Sequence, residues 1–541
     1  MSDFEKINIK PDQMAEWQQS SAFNQYYTYS FVNRSAYYAM VGTNYYDFMG
    51  RWVRNWLWWY DGWVPYFHSS DKGIFSTRIA TALVDRTANK VAGGKTMFKN
   101  AGKESQNNAK LNKSLKEVSN WASETNFDIA LKRAIKYSAA AGTSLLKLNQ
   151  DGDFKLWAEA LRFDSFLPTT DFRGKITDLK CFIQTYTKLG AKDKQQDQVY
   201  YIVEHRYYGT YTRLNGEEVS NAALVEYEVK RLSGTITTGN YISSSQERVL
   251  WEDLPKDIKN SINKSYSAVA FDKPIPLPFA DLGAELILWS DGISNLPELP
   301  FGESLLSRLI SYLEAYDYYF SAFCTDMYTG RARVLVPKGM TRADSQGNMN
   351  SGLDSYLYTR VDMIDPDKQT PLPIQFDLRA EEWRAVRDSL VENIAINTGL
   401  NISTIASFLN DTTGNKTARE ISTEENETLG YVNFKRGLIE KPVNRLLKTV
   451  TRHLGEKDEV VIRWSHAELT NRALLSEILS TARAGGFVSQ KKAVEMFNFD
   501  DDDEQIQIEY DSIKNDEANE APIDEGFFGE VNDTEIDKLG E

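Results

Sequence analysis

A chain of 541 residues, 41% hydrophobic and 26% charged, is long enough for several domains and has ordinary globular composition. Its two cysteines, Cys181 and Cys324, exclude a disulfide scaffold, and no uninterrupted apolar run reaches membrane-spanning length. The net charge of −15 resides at one end: Asp500–Glu541 holds 17 acidic residues and 2 lysines while residues 1–499 balance, so the body is not a basic nucleic-acid binder of the usual kind.

The first residues lack the charged-then-apolar layout of a signal peptide. Between Trp17 and Phe67 stand 19 aromatic residues, ending in RWVRNWLWWYDGWVPYF. Such a surface is insoluble if left bare, so it fits a domain core or a subunit interface. A membrane-interface helix would need a cationic face, and only Arg51 and Arg54 are at hand. Residues 74–92 carry Ile74, Ile79, Leu83, Val84, Ala88 and Val91 near one helical face, closed by Gly93-Gly94; 111–121 and 127–141 are further helical segments. From Thr143 to Leu288 the pattern turns to β-branched and aromatic runs separated by Gly, Asn and Asp, which predicts mostly antiparallel strands.

A helix over 302–327 is predicted from Leu306, Leu309, Ile310, Leu313, Tyr316, Phe320, Phe323 and Met327. Arg331–Pro337 reads as a strand ending in a turn. A return helix from about 378 to 398 places Trp383, Val386, Leu390 and Ile394 on one stripe. A polar loop follows, then a long helix over 417–453 that Pro442 should kink and Gly430 and Gly437 weaken. EVVIRW at 459–464 alternates like a strand, and helices are expected near 467–483 and 489–498, with Ser489 as an N-cap. Asp500–Glu504 reads as a turn with a solvated face, and the last 30 or so residues as mobile.

Chemistry-bearing motifs fail on context. Gly94-Lys95-Thr96 lacks the first phosphate-loop glycine, since Asn89 stands there, and it follows a helix. Gly302-Glu-Ser304 has Leu306 where a nucleophile elbow needs glycine, so Ser304 is read as a residue of the first helical turn. His68, His205, His453 and His466 form no zinc-type spacing and read as structural. No catalytic, cofactor-binding or metal-ligating residues are assigned, and no cofactor is expected. A metal-dependent nucleic-acid-processing enzyme built from scattered carboxylates, or a large oligomeric interaction scaffold, remains the alternative.

Five blocks, in order, carry a resemblance: RIATALVDRTANKVAGG, LRFDSFLPTTDFRGKIT, LPFGESLLSRLISYLEAYD with Asn295 before it and Asp317 at its end, NKTARE at 415–420, and EVVIRW through QKKAVEMF with DDDDEQIQIE behind it. Over about 70–510 the chain resembles the portal proteins of tailed bacteriophages with long noncontractile tails. The resemblance implies an α+β portal fold: an aromatic N-terminal segment (1–69), a mixed α/β wing (70–301), a first stem helix (302–327), a β-containing clip (328–378), a second stem helix (379–398), a tunnel loop (399–416), a long kinked helix with a helical crown (417–510) and an acidic mobile tail (511–541).

It also implies a non-enzymatic ring of about twelve subunits at one capsid vertex, through which double-stranded DNA is packaged and ejected without sequence specificity. Partners would be the terminase large subunit, major capsid protein, scaffolding protein and a head-completion adaptor, with no membrane; the protein would sit in the virion, and in host cytoplasm during assembly. Lumen candidates in the loop are Asn401, Ser403, Asn410, Asp411, Thr412, Thr413, Asn415 and Lys416. Candidates for basic rings of clip and stem are Arg331, Arg333, Lys338, Arg384 and Arg387.

Overall fold

The computed structural model describes residues 44–62, 75–94, 96–100, 109–150, 155–171, 173–188, 198–213, 216–237, 240–265, 271–293, 299–329, 333–337, 358–361, 372–374, 379–400, 405, 418–456, 458–464, 472–497 and 503–519. These fall into two compact units, Met1–Ala92 with Thr96–Arg463, and Trp464–Glu541 with Gly93–Lys95. Helices and mostly antiparallel sheets are both present, as an α+β chain requires.

The first unit starts with α1 (Asn44–Asp61), α2 (Ile79–Ala92), β1 (Met97–Asn100), α3 (Ala109–Glu124) and α4 (Phe127–Ala141). The end of the aromatic stretch is core: Val53, Trp56, Leu57 and Trp59 are buried as α1 lies against α2 and α4. Residues 1–43 lie outside the described set. Strands β2 (Thr143–Gln150), β3 (Leu156–Arg162) and β10 (Ala284–Leu288) form an antiparallel sheet in the order β10-β2-β3. Helix α4 covers it with Ala134, Ile135 and Ala139–Ala141, small enough for close helix–sheet approach.

A larger sheet runs β4 (Phe166–Thr170), β5 (Ile176–Lys188), β6 (Gln198–Thr212), β7 (Glu218–Thr237) and β8 (Asn240–Val249), with the short β9 (Ile275–Pro276) also on β7. The β-rich reading of 143–288 passes over one helix, α5 (Lys256–Ser265). Its polar sequence hides Ile258 and Ile262, one turn apart, buried with Leu254, Phe271, Tyr200, Ile202 and Val229. Each isoleucine contributes about 1.5–3 kcal/mol by burial.

Three charges are buried between the two sheets. Lys147 Nζ on β2 donates to Glu204 Oε2 on β6 at 2.7 Å, and Arg206 Nε donates to Glu204 Oε1 at 2.5 Å. The Arg206 guanidinium also donates to Leu282 O and Asn149 Oδ1, both at 2.9 Å. Burial would raise the Glu204 carboxyl, but the Arg206 and Lys147 cations hold it at about 2. Cys181 is buried beside them, and burial pushes its thiol up to about 12, which makes it inert at neutral pH.

The remainder of this unit is α6 (Ile310–Thr329), β11 (Arg333–Pro337), β12 (Tyr358–Val361), β13 (Leu372–Ile374), α7 (Ala380–Thr398), α8 (Ala418–His453) and β14 (Val460–Arg463). Strand β11 pairs parallel with β12 and antiparallel with β13; β14 pairs antiparallel with β1. Two predicted boundaries shift. The helix expected over 302–327 begins only at Ile310, after a turn run tied to Thr143 and Ala140, and that expected from 74 begins at Ile79, directly after Arg78, whose φ of +55° lies outside the right-handed helical region. Helix α8 runs unbroken through Pro442, whose missing N–H leaves the Leu438 carbonyl without its intrahelical donor.

The second unit contains α9 (Arg472–Ala484), α10 (Gln490–Phe497) and α11 (Asp503–Asn519), with Leu479, Val494 and Ile506 buried. Ser489 caps α10 as expected, its Oγ accepting from Lys492 N at 3.3 Å. Of the run read as a turn at 500–504, Asp503 and Glu504 are instead the first residues of α11, and 500–502 lie outside the described set. That helix continues to Asn519, past the 511 boundary set for a mobile tail; residues 520–541 lie outside the described set.

Candidate functional site: a helix pair and the node that anchors it

Helices α6 and α7 lie side by side, joined by aromatic packing. The Trp383 ring of α7 meets Tyr319 of α6 at 5.5 Å and Phe323 at 6.0 Å, both edge-on. Trp383 Nε1 donates to Asp326 Oδ2 at 3.0 Å, and Arg379 pairs with Asp326 at 3.1 Å while covering the Trp383 ring at 5.5 Å. Those two donors hold the Asp326 carboxyl below the usual range. At the far end of α7, Gly399 adopts φ +73° and its N–H returns to Ala395 O, a left-handed stop.

The pair leaves apolar side chains in solvent. Tyr318, Phe320 and Met327 on α6 are exposed, as are Val386 and Ile396 on α7, the last at 69%. The stripe read as Trp383, Val386, Leu390 and Ile394 is therefore not all inward: Ile394 is buried with Val391, Ala395 and Thr398, whereas Val386 faces out.

A buried node holds the run leading into α6. Gly142, at φ +81°, ends α4, and its carbonyl accepts from Trp289 N at 2.9 Å. Gly302 N donates to Thr143 Oγ1 at 2.9 Å and Glu303 N to Ser290 Oγ at 2.6 Å. Ser304 Oγ donates to Ala140 O at 2.7 Å and accepts from Leu306 N at 3.0 Å, so Ser304 stitches the node and is not in a helical first turn. Gly142 and Gly302 approach so closely that a Cβ on the first would lie 2.2 Å from the Gly302 carbonyl oxygen.

Helix α8 enters the same node through Lys435, which sequence reasoning missed because no motif surrounds it. Its Nζ donates to Trp289 O at 2.8 Å and lies 5.0 Å from the Trp289 and Tyr431 ring centres and 5.6 Å from that of Phe434. Burial lowers the ammonium to about 8, against the opposing pull of Asp291 and Glu303 and with a smaller push from Arg308. A folded value below the unfolded 10.5 means stability rises as pH climbs from about 8 toward 10.5, by about 3 kcal/mol. Lys435→Met should flatten that rise in urea-midpoint measurements across the same window.

Of the basic candidates, Arg384 is exposed on α7, Arg387 pairs with the adjacent Asp388 at 2.9 Å, and Arg333 opens β11, the middle strand of its sheet. Arg331, Lys338 and the loop residues Asn401, Ser403, Asn410, Asp411, Thr412, Thr413, Asn415 and Lys416 lie outside the described set. A shallow cavity of about 370 Å³ between α8 and β14 presents Lys441, Arg445 and Lys448, but Arg445 is bonded to Glu285 at 2.6 Å and Lys448 is paired with Glu459.

Among the described residues one group, His205, Glu226 and Glu228, brings metal-ligand-type atoms within 4.8 Å of one another. Arg248 already bridges the two glutamates at 2.6 and 3.1 Å, and His205 Nε2 is hydrogen-bonded to Asp178 Oδ2 at 2.7 Å, so each member of the cluster already has a protein partner. No described helix is long and apolar enough to cross a membrane.

No curated protein matches the chain. The family model described as phage portal protein, SPP1 Gp6-like, matches residues 75–520, which takes in both helices of the pair, the node and α8. That family is structural and not enzymatic. With most of its length matched in one continuous span, the chain belongs to the phage portal protein family, SPP1 Gp6-like.

Proposed function

We propose that this portal protein forms a closed ring of about twelve subunits at one capsid vertex and conducts double-stranded DNA during packaging and ejection. The family match carries the reading. The helix pair supports it: α6 and α7 bury one another on one side and carry Phe320, Met327 and Ile396 bare on others, as expected of a wall element completed by neighbouring copies. In this reading α6 and α7 are the stem, β11–β13 the clip, 70–301 the wing, 399–416 the tunnel loop, and α8 onward to about 510 the crown. The terminase supplies ATP hydrolysis, while capsid, scaffolding and head-completion proteins dock outside the ring.

Charge fits a conduit. Each Lys–phosphate contact releases counterions and would have to break at every step of translocation. A body with balanced charge avoids tight grip, and rings of Arg333, Arg384 and Arg387, with Arg331 and Lys338, steady the duplex backbone without reading sequence.

Electron microscopy of the purified full chain, with mass determination, tests this. Rings of about twelve subunits with a hole wider than a roughly 20 Å duplex are expected; a monomer or compact dimer at every concentration overturns the channel. Phe320→Glu with Ile396→Glu should shift rings toward monomers by tenfold or more in mass photometry, because each places a charge on a surface buried by assembly.

A further inference from the structure

Helix α6 is held to the body a second time, at its middle. Asp317 is 1% exposed, and its Oδ1 accepts from both Thr77 N at 2.9 Å and Thr77 Oγ1 at 2.5 Å. One turn further, Ser321 Oγ accepts from Phe75 N at 2.7 Å and donates to Asp317 O at 2.7 Å. Both side chains lie on one face of α6 and hold the non-helical run 75–78 that leads into α2. The first attachment, the Gly302–Leu306 node, precedes Ile310, and Asp317 is seven residues along the helix, about 10 Å at 1.5 Å per residue. A rod fixed at one point swivels; one fixed at two has a set tilt.

The second attachment is poised to open. Asp317 Oδ2 is buried and has no hydrogen-bond partner, an arrangement that costs more than a satisfied carboxylate would. Burial also raises the carboxyl above its ordinary range, against the hydrogen bonds from Thr77. Opening returns that oxygen to water, which offsets part of what the Thr77 and Phe75 bonds contribute.

We propose that Asp317 and Ser321 form a latch that sets the tilt of α6 against the body, and that α6 and the 75–78 strap release together when it opens. The node at Gly142 and Gly302 stays closed in that motion and acts as the pivot. The latch is defined within one chain, so it stands or falls independently of ring formation.

Hydrogen exchange by mass spectrometry on the full chain tests it. Thr77→Val keeps the side-chain shape and removes one donor; Ser321→Ala removes the acceptor for Phe75 N. Each should speed exchange about three- to tenfold both at 75–78 and at 311–321, with 142–146 unchanged, and Thr77→Ser should restore the wild-type rate. No change in either segment overturns the latch. Faster exchange in the strap alone also overturns it, since α6 would then not depend on the contact. Equal acceleration everywhere, the node included, marks general destabilisation and overturns it too. Particle images of the same samples report ring formation separately.

Discussion

Replacing Glu204 by alanine is expected to destabilise the first unit by about 3–5 kcal/mol, because it strips the shared anion from two buried cations. Lys147 and Arg206 are each 2% exposed and would keep only Glu159 and neutral acceptors nearby. Glu204→Gln, which retains shape and an acceptor, should fall between the alanine variant and wild type. Urea unfolding followed by tryptophan fluorescence at pH 7 reads all three. The pH dependence has a definite sign. Glu204 is held at about 2 when folded against 4.5 unfolded, so its contribution is complete above pH 4.5 and is lost as pH falls from there toward 2. Lys147 and Arg206 stay charged throughout that window, and a wild type no more acid-sensitive than Glu204→Gln would refute the role given to the pair.

Gly142→Ala is the second large expected loss, about 3 kcal/mol or more. The new Cβ would be 2.2 Å from Gly302 O and 2.9 Å from Ser304 N, on a backbone at φ +81°. Both obstacles are main chain and cannot rotate away. Gly302→Ala meets Gly142 O at 2.5 Å and should fail similarly, and the two losses should be strongly sub-additive because either one breaks the same contact. Gly430→Ala is the control: nothing lies within 4 Å of its added methyl in the long helix α8, so it should stabilise by about 0.5–1 kcal/mol. Thermal melts of the three variants and the double variant distinguish a steric node from a general intolerance of glycine replacement.

Helices with their own periodicity were legible in advance. The return helix and the long helix begin and end within two residues of the expected positions, since each carries its pattern over several turns and α7 is stopped by a glycine. The six-residue hint EVVIRW became β14, and Ser489 became an N-cap. The site was less legible. Leu306 and Leu309 follow helical spacing and are buried, yet 305–309 is a turn run whose neighbours Gly302 and Ser304 bond to Thr143 and Ala140. Ile258 and Ile262 were hidden in a polar decapeptide, and Val386 belonged to the periodic stripe of α7 without belonging to its buried face.

By itself the sequence determined the order of blocks that carries family membership, the charge-balanced body with an acidic end, and those elements whose pattern repeats within a turn or two. Tertiary structure alone decided what Lys147, Thr143 and Thr77 do. Their partners lie 57, 159 and 240 residues away, at Glu204, Gly302 and Asp317. The physical reason is range. Periodicity reports which face a residue shares with its near neighbours, whereas a buried charge or an unpaired carboxylate oxygen takes its energy from the atoms that the fold brings against it.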